Sequence, residues 1–315
     1  MTGKQRTEWI APDTAGIAQA ADQLRAGGLV AVPTETVYGL AARADSEAAV
    51  ASIYRAKGRP DFNPLIVHVP SMAVAEQLAQ FDDRAQLLAR HFWPGPLTLV
   101  LPRTPDCPVA PAVTAGLPTI ALRMPAHPVM RALLEQTGVP LAAPSANRSG
   151  AISPTAAGHV AASLPEGFGA ILDGGECAQG VESTIVALRP DAGWTVLRPG
   201  PIPAEALAQL LGPETPRAEA AGIEAPGQLA SHYAPGKPVR LFADAAQGDE
   251  FLIGFGPMSG HSNLSAAGDL AEAAARLYAC LHEAAASPFP RIAIAAIPEH
   301  GIGAAINDRL RRAAV

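Results

Sequence analysis

The sequence predicts a mixed α/β protein in two units, a larger one over residues 1–211 and a smaller one over 239–315. Three observations predict it. Short apolar runs alternate with helix-patterned stretches along most of the chain, the pattern of a mixed sheet with crossover helices. Residues 212–238 are dense in Pro, Gly, Ala and Glu, which is linker composition. Polar turns sit repeatedly at strand ends, where loops of open α/β sheets collect ligands.

Taken in order, residues 14–25 carry Ile17, Ala20, Ala21 and Leu24 at helical spacing and stop at Gly27-Gly28. A strand over 29–32 leads into the polar turn Pro33-Thr34-Glu35-Thr36. Ser46 then caps a helix whose Val50, Ile53 and Tyr54 share a face, and that helix delivers Lys57 and Arg59 to its C-terminal end. The apolar run 65–69 is a strand covered on both faces, interrupted by His68. Helices over 72–80 and 83–92 precede a strand over 97–101. The connection 102–118, rich in Pro, Thr and Gly, is long for a compact domain and predicts a loop flanking a ligand.

Strands follow over 119–123 and 139–143, with a helix around 127–136 between them. The second strand runs into Pro144-Ser145-Ala146-Asn147. A helix over 155–164 comes next, then strands over 170–172, 182–186 and 194–197 and a closing helix over 203–211. Beyond the linker, strands over 239–242, 250–255 and 292–296 and helices over 269–285 and 304–312 form the small α/β unit.

Composition narrows the function. With 49% hydrophobic residues the chain has ample material for buried cores, and its net charge of −6 argues against an extended sequence-independent phosphate-binding face. Cys107, Cys177 and Cys280 stand far apart without a CxxC pair, so neither a disulfide framework nor a zinc site is indicated, and a reducing, cytoplasmic setting is expected. No run approaches the roughly 20 apolar residues that span a bilayer. The loop 254–260 has a third glycine one residue late for a dinucleotide fingerprint, His282-Glu283 lacks a second histidine four residues on, and no P-loop occurs. No nucleophile elbow or triad spacing points to covalent catalysis.

What remains is cations, hydroxyls and amides at strand ends, a mixture suited to a polyanion plus a small polar molecule. For individual residues the composition leaves two readings open. Lys57 and Arg59 suit either a phosphate or a solvated helix end. His68, alone in an apolar strand, reads first as a hydrogen-bonded core histidine, and Ser183 as the start of its strand.

The segments PTETVYGLA, AKGRPDFNPLIVHV, TIALRMP, APSANRSG, SPT, GVESTIV and LRPG closely resemble the YrdC-like family, in an order that fits its threonylcarbamoyl-AMP synthases. SHYAPGKPV, NLSAAGD and PEHGIGAAINDRLRRAA resemble the C-terminal domain of that family's long, two-domain branch. The resemblance implies a YrdC-like twisted mixed sheet around a concave cleft and a smaller Rossmann-like C-terminal domain. It also implies condensation of L-threonine, bicarbonate and ATP to threonylcarbamoyl-AMP and pyrophosphate, which feeds a downstream transfer machinery that modifies tRNA. Such chemistry needs alignment and charge neutralisation more than a protein nucleophile.

Site roles follow from the same resemblance. Lys57, Arg59, Asn63, Thr119, Ser145, Ser153 and Arg198 would bind ATP, with Lys57 and Arg59 most critical. Thr36, His68, Arg123, Ser183 and the backbone at Ala143 would hold threonine. Mg²⁺ would enter with ATP and be held mainly by the nucleotide, without a dedicated protein metal site. Segment 212–238 would fold back as a lid with Tyr233 on the nucleotide, so Tyr233→Ala should weaken synthesis while leaving the fold intact. Glu35 and Asn147 belong to the motifs without an assigned contact. The competing class is a non-enzymatic tRNA-binding module, disfavoured by net acidity and by the lack of interleaved aromatic and basic residues. Hydrogenase-maturation carbamoyltransferases use related chemistry, but they carry further domains and zinc-type cysteine pairs that this chain lacks.

Overall fold

The computed structural model describes residues 7–215, 222–228 and 232–315. The larger unit begins with β1 (Glu8–Ile10), α1 (Thr14–Arg25), β2 (Val30–Val32), β3 (Gly39–Arg43), α2 (Glu47–Lys57) and β4 (Ile66–His68). It continues through α3 (Met72–Leu78), α4 (Asp83–Phe92), β5 (Leu97–Pro102), α5 (Pro111–Thr114), β6 (Thr119–Arg123), α6 (Pro128–Thr137) and β7 (Leu141–Ala142). It closes with α7 (Ala157–Ser163), β8 (Ala170–Leu172), β9 (Thr184–Leu188), β10 (Trp194–Arg198) and α8 (Ala204–Leu211). The smaller unit holds β11 (Val239–Ala243), β12 (Glu250–Gly254), β13 (Ser262–Asn263), α9 (Leu270–Ala286), β14 (Arg291–Ala295) and α10 (Ile302–Ala313).

Ten strands form one mixed sheet in the order β1-β8-β2-β3-β7-β4-β6-β5-β9-β10. The C-terminal sheet, β11-β14-β12-β13, is parallel throughout. Both agree with the expected classes, a twisted mixed sheet and a smaller Rossmann-like unit. β3 is the main departure. Its sequence, GLAAR, carries no β-branched residue, so propensity gave no strand signal. It forms because it pairs with β2 and β7 and buries Leu40 and Ala42 in the central core. The short strands β1 and β13 were likewise silent in the sequence. The long connection after β5 contains the single turn α5, and Tyr54 Oη donates to Ala112 there.

α9 and α10 cover one face of the C-terminal sheet, with Leu277, Leu281, Ile306 and Leu310 packed on Ile253, Ile292 and Ile294. The same apolar cluster takes in Val37, Ile152 and Val181 of the larger unit and Tyr233 of the connecting segment. The two units therefore share a core, and the interface is of the apolar kind that resists rigid-body drift. Among the described residues no helix is long and apolar enough to cross a membrane.

Candidate active site

The turn after β2 is built by its own hydroxyls. Thr34 Oγ1 accepts from the Thr36 and Val37 N–H groups and donates to the Val37 carbonyl, while the Thr34 and Thr36 hydroxyls stand 2.9 Å apart. This fixes Thr36 Oγ1 as an acceptor for Arg123 Nη1 at 2.9 Å. Arg123 also donates to Glu35 Oε1 at 2.6 Å and to the Gly95 carbonyl at 3.2 Å. Parallel pairing of β4 with β6 sets His68 directly beside Arg123. Burial would raise the Glu35 pKa, but the charge and hydrogen bond of Arg123 together with backbone hydrogen bonds outweigh it and keep the carboxylate below its ordinary value. Burial, assisted by Arg123, pushes His68 down to about 3, so its imidazole is neutral near pH 7. His68 Nδ1 is buried and has no hydrogen-bond partner among the described residues.

A second group gathers at the end of α2. Ser46 caps the start of this helix through the Ala49 N–H, and Gly58 ends it in the left-handed conformation. Lys57 is buried, and its Nζ donates to the carbonyls of Ser145 and Asn147. Burial, with Arg59 adding to it, drives the Lys57 pKa well down. Arg59 donates to the carbonyls of Asn63 and Pro64 at 3.2 and 2.8 Å, and burial lowers it to about 10. These bonds rule out the solvated-helix-end reading of both cations. Asn147, which had no assigned contact, spends its amide N–H groups on the Arg148 and Ala151 carbonyls and shapes this turn.

The third group lies at β9 and β10. Arg198 Nε and Nη2 donate to the Ser183 carbonyl at 3.1 and 2.9 Å, and Nη2 also reaches Ser183 Oγ at 3.1 Å. Gly200 permits the close approach, because a Cβ there would stand 2.3 Å from the Thr184 nitrogen. Glu182 accepts from Ser153 Oγ at 2.5 Å, from Tyr278 Oη at 2.9 and 3.0 Å, and from Arg309 Nε at 2.9 Å. Burial alone would raise the Glu182 pKa, but Arg309 and Arg198 outweigh it and hold it at about 2.

These groups line one cavity of about 50 Å³, room for a few waters. Thr36, His68, Arg123, Ala143 and Ser183, expected at threonine, and Arg59, Ser145 and Arg198, expected at ATP, all line it. Tyr233 closes it together with Pro226, Gly227 and His232. Lys57, Asn63 and Ser153 stand behind this wall, bonded to residues that form it or fastened to the same helix end. Thr119 is not brought in: it pairs with Pro102 at the opposite end of β6 from Arg123. The connection 102–118 does not line this cavity either.

Two family profiles cover nearly all of the chain. Residues 22–200 match the Sua5/YciO/YrdC profile, described as telomere recombination, and residues 202–315 match the profile described as threonylcarbamoyl-AMP synthase, C-terminal domain. A threonylcarbamoyl-AMP synthase of Bacillus subtilis is 39% identical over 332 residues, covering 98% of this chain and 95% of that one. The chain belongs to the two-domain threonylcarbamoyl-AMP synthase family. Another member, from Pyrococcus abyssi, is 39% identical over 319 residues, covering 93% of this chain and 92% of that one. A crystal structure of P. abyssi Sua5 complexed with L-threonine superposes with a TM-score of 0.85 at 36% identity, covering 98% of this chain and 97% of that chain.

Within this synthase fold, sequence reasoning missed Glu182 and the C-terminal side chains that reach it. Glu182 had a signal, a carboxylate opening an otherwise apolar strand. Arg309 and Tyr278 had none, since each sits in an ordinary amphipathic helix pattern. Of the segment 212–238, expected to act as a lid, residues 216–221 and 229–231 lie outside the described residues. Tyr233 is 1% exposed and belongs to the shared interdomain core, so Tyr233→Ala would also damage packing. Tyr233→Phe is therefore the cleaner test of the hydroxyl.

Proposed function

We propose that this chain synthesises L-threonylcarbamoyladenylate from L-threonine, bicarbonate and ATP in the cytoplasm. One observation carries the reading: Arg59 and Arg198 line the same cavity as Thr36, His68 and Arg123. The first pair suits phosphate oxygens, and the second group suits an amino acid's carboxylate and hydroxyl. Threonine amine and bicarbonate give a carbamate with loss of water. A carbamate oxygen then attacks the α-phosphorus, and pyrophosphate leaves with the electron pair of the broken P–O bond.

Three fixed partners hold the Arg123 guanidinium, so a carboxylate meets a cation that is already oriented. A base with a pKa of about 3 takes no proton from an ammonium, so His68 serves as a hydrogen-bond partner and not as general base. The Ala143 N–H is committed to the Ile66 carbonyl, so this residue would meet threonine through its own carbonyl. Lys57 would act from behind the wall by holding the Ser145–Asn147 turn, and an arriving phosphate would favour its charged form. Asn63 and Ser153 would complete the nucleotide side. Thr119 would reach it only through a part of the nucleotide lying outside the described cavity.

Mg²⁺ would accompany ATP and neutralise its phosphate oxygens. The buried amide oxygens of Asn63 and Asn147 have no hydrogen-bond partner among the described residues, and neutral oxygen donors fit an ion whose charge the nucleotide balances. A ligand of nucleotide size needs about 300 Å³ or more. ATP would therefore extend beyond this cavity, with Pro226, Gly227, His232 and Tyr233 lying over it as the lid. The product would pass to a machinery that transfers the threonylcarbamoyl group to tRNA.

Pyrophosphate release, followed with ATP, Mg²⁺ and bicarbonate and each amino acid in turn, tests the reading. Release that requires both threonine and bicarbonate is expected. Binding of tRNA without turnover would favour a non-enzymatic RNA-binding module instead.

A further inference from the structure

The carboxylate of Glu182 faces the cavity but answers to the other unit. Arg309, on α10, is fully buried and gives its Nε to Glu182 Oε2 at 2.9 Å. Tyr278, on α9, bonds both carboxylate oxygens. The Arg309 guanidinium also lies 5.5 Å from the centre of the Tyr233 ring, which packs 5.6 Å from the ring of Tyr278. Glu182 in turn holds the Ser153 hydroxyl. Arg309 thus touches a wall carboxylate and the closing tyrosine at once, and Arg312, also on α10, stands 5.6 Å from the same ring. Tyr233 is in the left-handed region at φ 64, an arrangement that a non-glycine residue keeps only when its surroundings impose it.

We propose that Arg309 is a positioning residue for ATP, acting through Glu182 and Tyr233, so that the nucleotide site is complete only with the C-terminal unit docked. This rests on the synthase reading above, and it gives that unit a part in substrate binding. The cost of burying Arg309 is offset by Glu182 and by Asp308, which accepts from Nη1 at 2.7 Å, whereas removing Arg309 takes from the buried Glu182 carboxylate the cation it is paired with. The groups fixed by the pair, Ser153 and Tyr233, belong to the nucleotide side, while Thr36, His68 and Arg123 have separate anchors. The effect should therefore fall on ATP and spare threonine.

The test is calorimetric binding of ATP and, separately, of threonine to the full chain, at a temperature well below the lowest unfolding midpoint of the set. Arg309→Met is expected to weaken ATP binding by about tenfold or more while threonine affinity stays within about threefold. Arg309→Lys, which keeps the charge, should recover most of the loss. The double variant Glu182→Gln with Arg309→Met should be little worse than Arg309→Met alone, and Arg291→Ala, at an exposed pair, should bind as the wild type does. Should Arg309→Met not fold, Glu182→Gln carries the same expectation. ATP affinity unchanged within twofold, an equal loss for both ligands, or independent multiplying effects in the double variant would each overturn the proposal. Wild-type protein that binds no ATP would overturn it as well. Wild-type protein that binds ATP but shows no threonine- and bicarbonate-dependent pyrophosphate release would sink the synthase reading, and the affinity comparison would still judge Arg309.

Discussion

Glu35 had no assigned contact from its motif, and its role is now visible in the pair with Arg123. The two side chains are 10% and 4% exposed, so each is the other's compensation inside a low-dielectric wall. Glu35→Ala should destabilise the protein by about 3–5 kcal/mol, the usual consequence of stranding a buried charge. Arg123 would also lose its orientation. Threonine binding should then fall by about tenfold or more with ATP binding little changed, measured by denaturant unfolding and calorimetry together. A variant that binds threonine normally would show that Thr36 and the Gly95 carbonyl suffice to hold Arg123.

At the scale of elements, α2 shows how a helix delivers a site. Its Ser46 cap contributes to stability, whereas the site depends on where its last turn points. Ser46→Ala should cost about 1 kcal/mol in urea unfolding and leave the kinetics of the folded enzyme unchanged. Gly200 is the opposite case. A Cβ placed there would stand 2.3 Å from the Thr184 nitrogen and 2.7 Å from the Glu182 carbonyl oxygen, both backbone atoms that cannot swing away. Gly200→Ala should push β10 off β9, carry Arg198 away from Ser183 and weaken ATP binding beyond what its loss of stability explains. Wild-type ATP affinity in that variant would show that the strand pair can absorb the methyl group.

The whole molecule should respond to acid in two stages. His68, His232 and His282 are held down by burial to about 3, 3 and 4, whereas an unfolded chain protonates its histidines near pH 6.5. Below that value the unfolded state binds more protons than the folded one, so stability falls as pH drops from 6.5 and is nearly flat above it. Glu182, at about 2, begins to contribute only lower down. Its share is present above about pH 4.5 and is lost as pH falls toward 2. Urea midpoints measured against pH should show both limbs, and Glu182→Gln should flatten only the lower one. A midpoint that stays constant from pH 7 to 5 would show that the buried histidines ionise without unfolding.

The sequence by itself determined the class of the fold, most of its elements and the chemistry of its strand-end turns. Those features are local: hydrophobic period, capping residues such as Ser46, and motif residues such as Thr36, Lys57 and Arg198 are legible because each needs only its neighbours in the chain. The tertiary structure alone decided the rest. GLAAR became β3 because partners on both sides overrode a weak intrinsic preference. Thr119 and Arg123, four residues apart on one strand, were separated because an extended strand carries the chain about 3.3 Å per residue, which leaves Arg123 at the cavity and Thr119 away from it. Arg309 joined the site from 127 residues away because a buried carboxylate must find a cation, and folding brought α10 against Glu182.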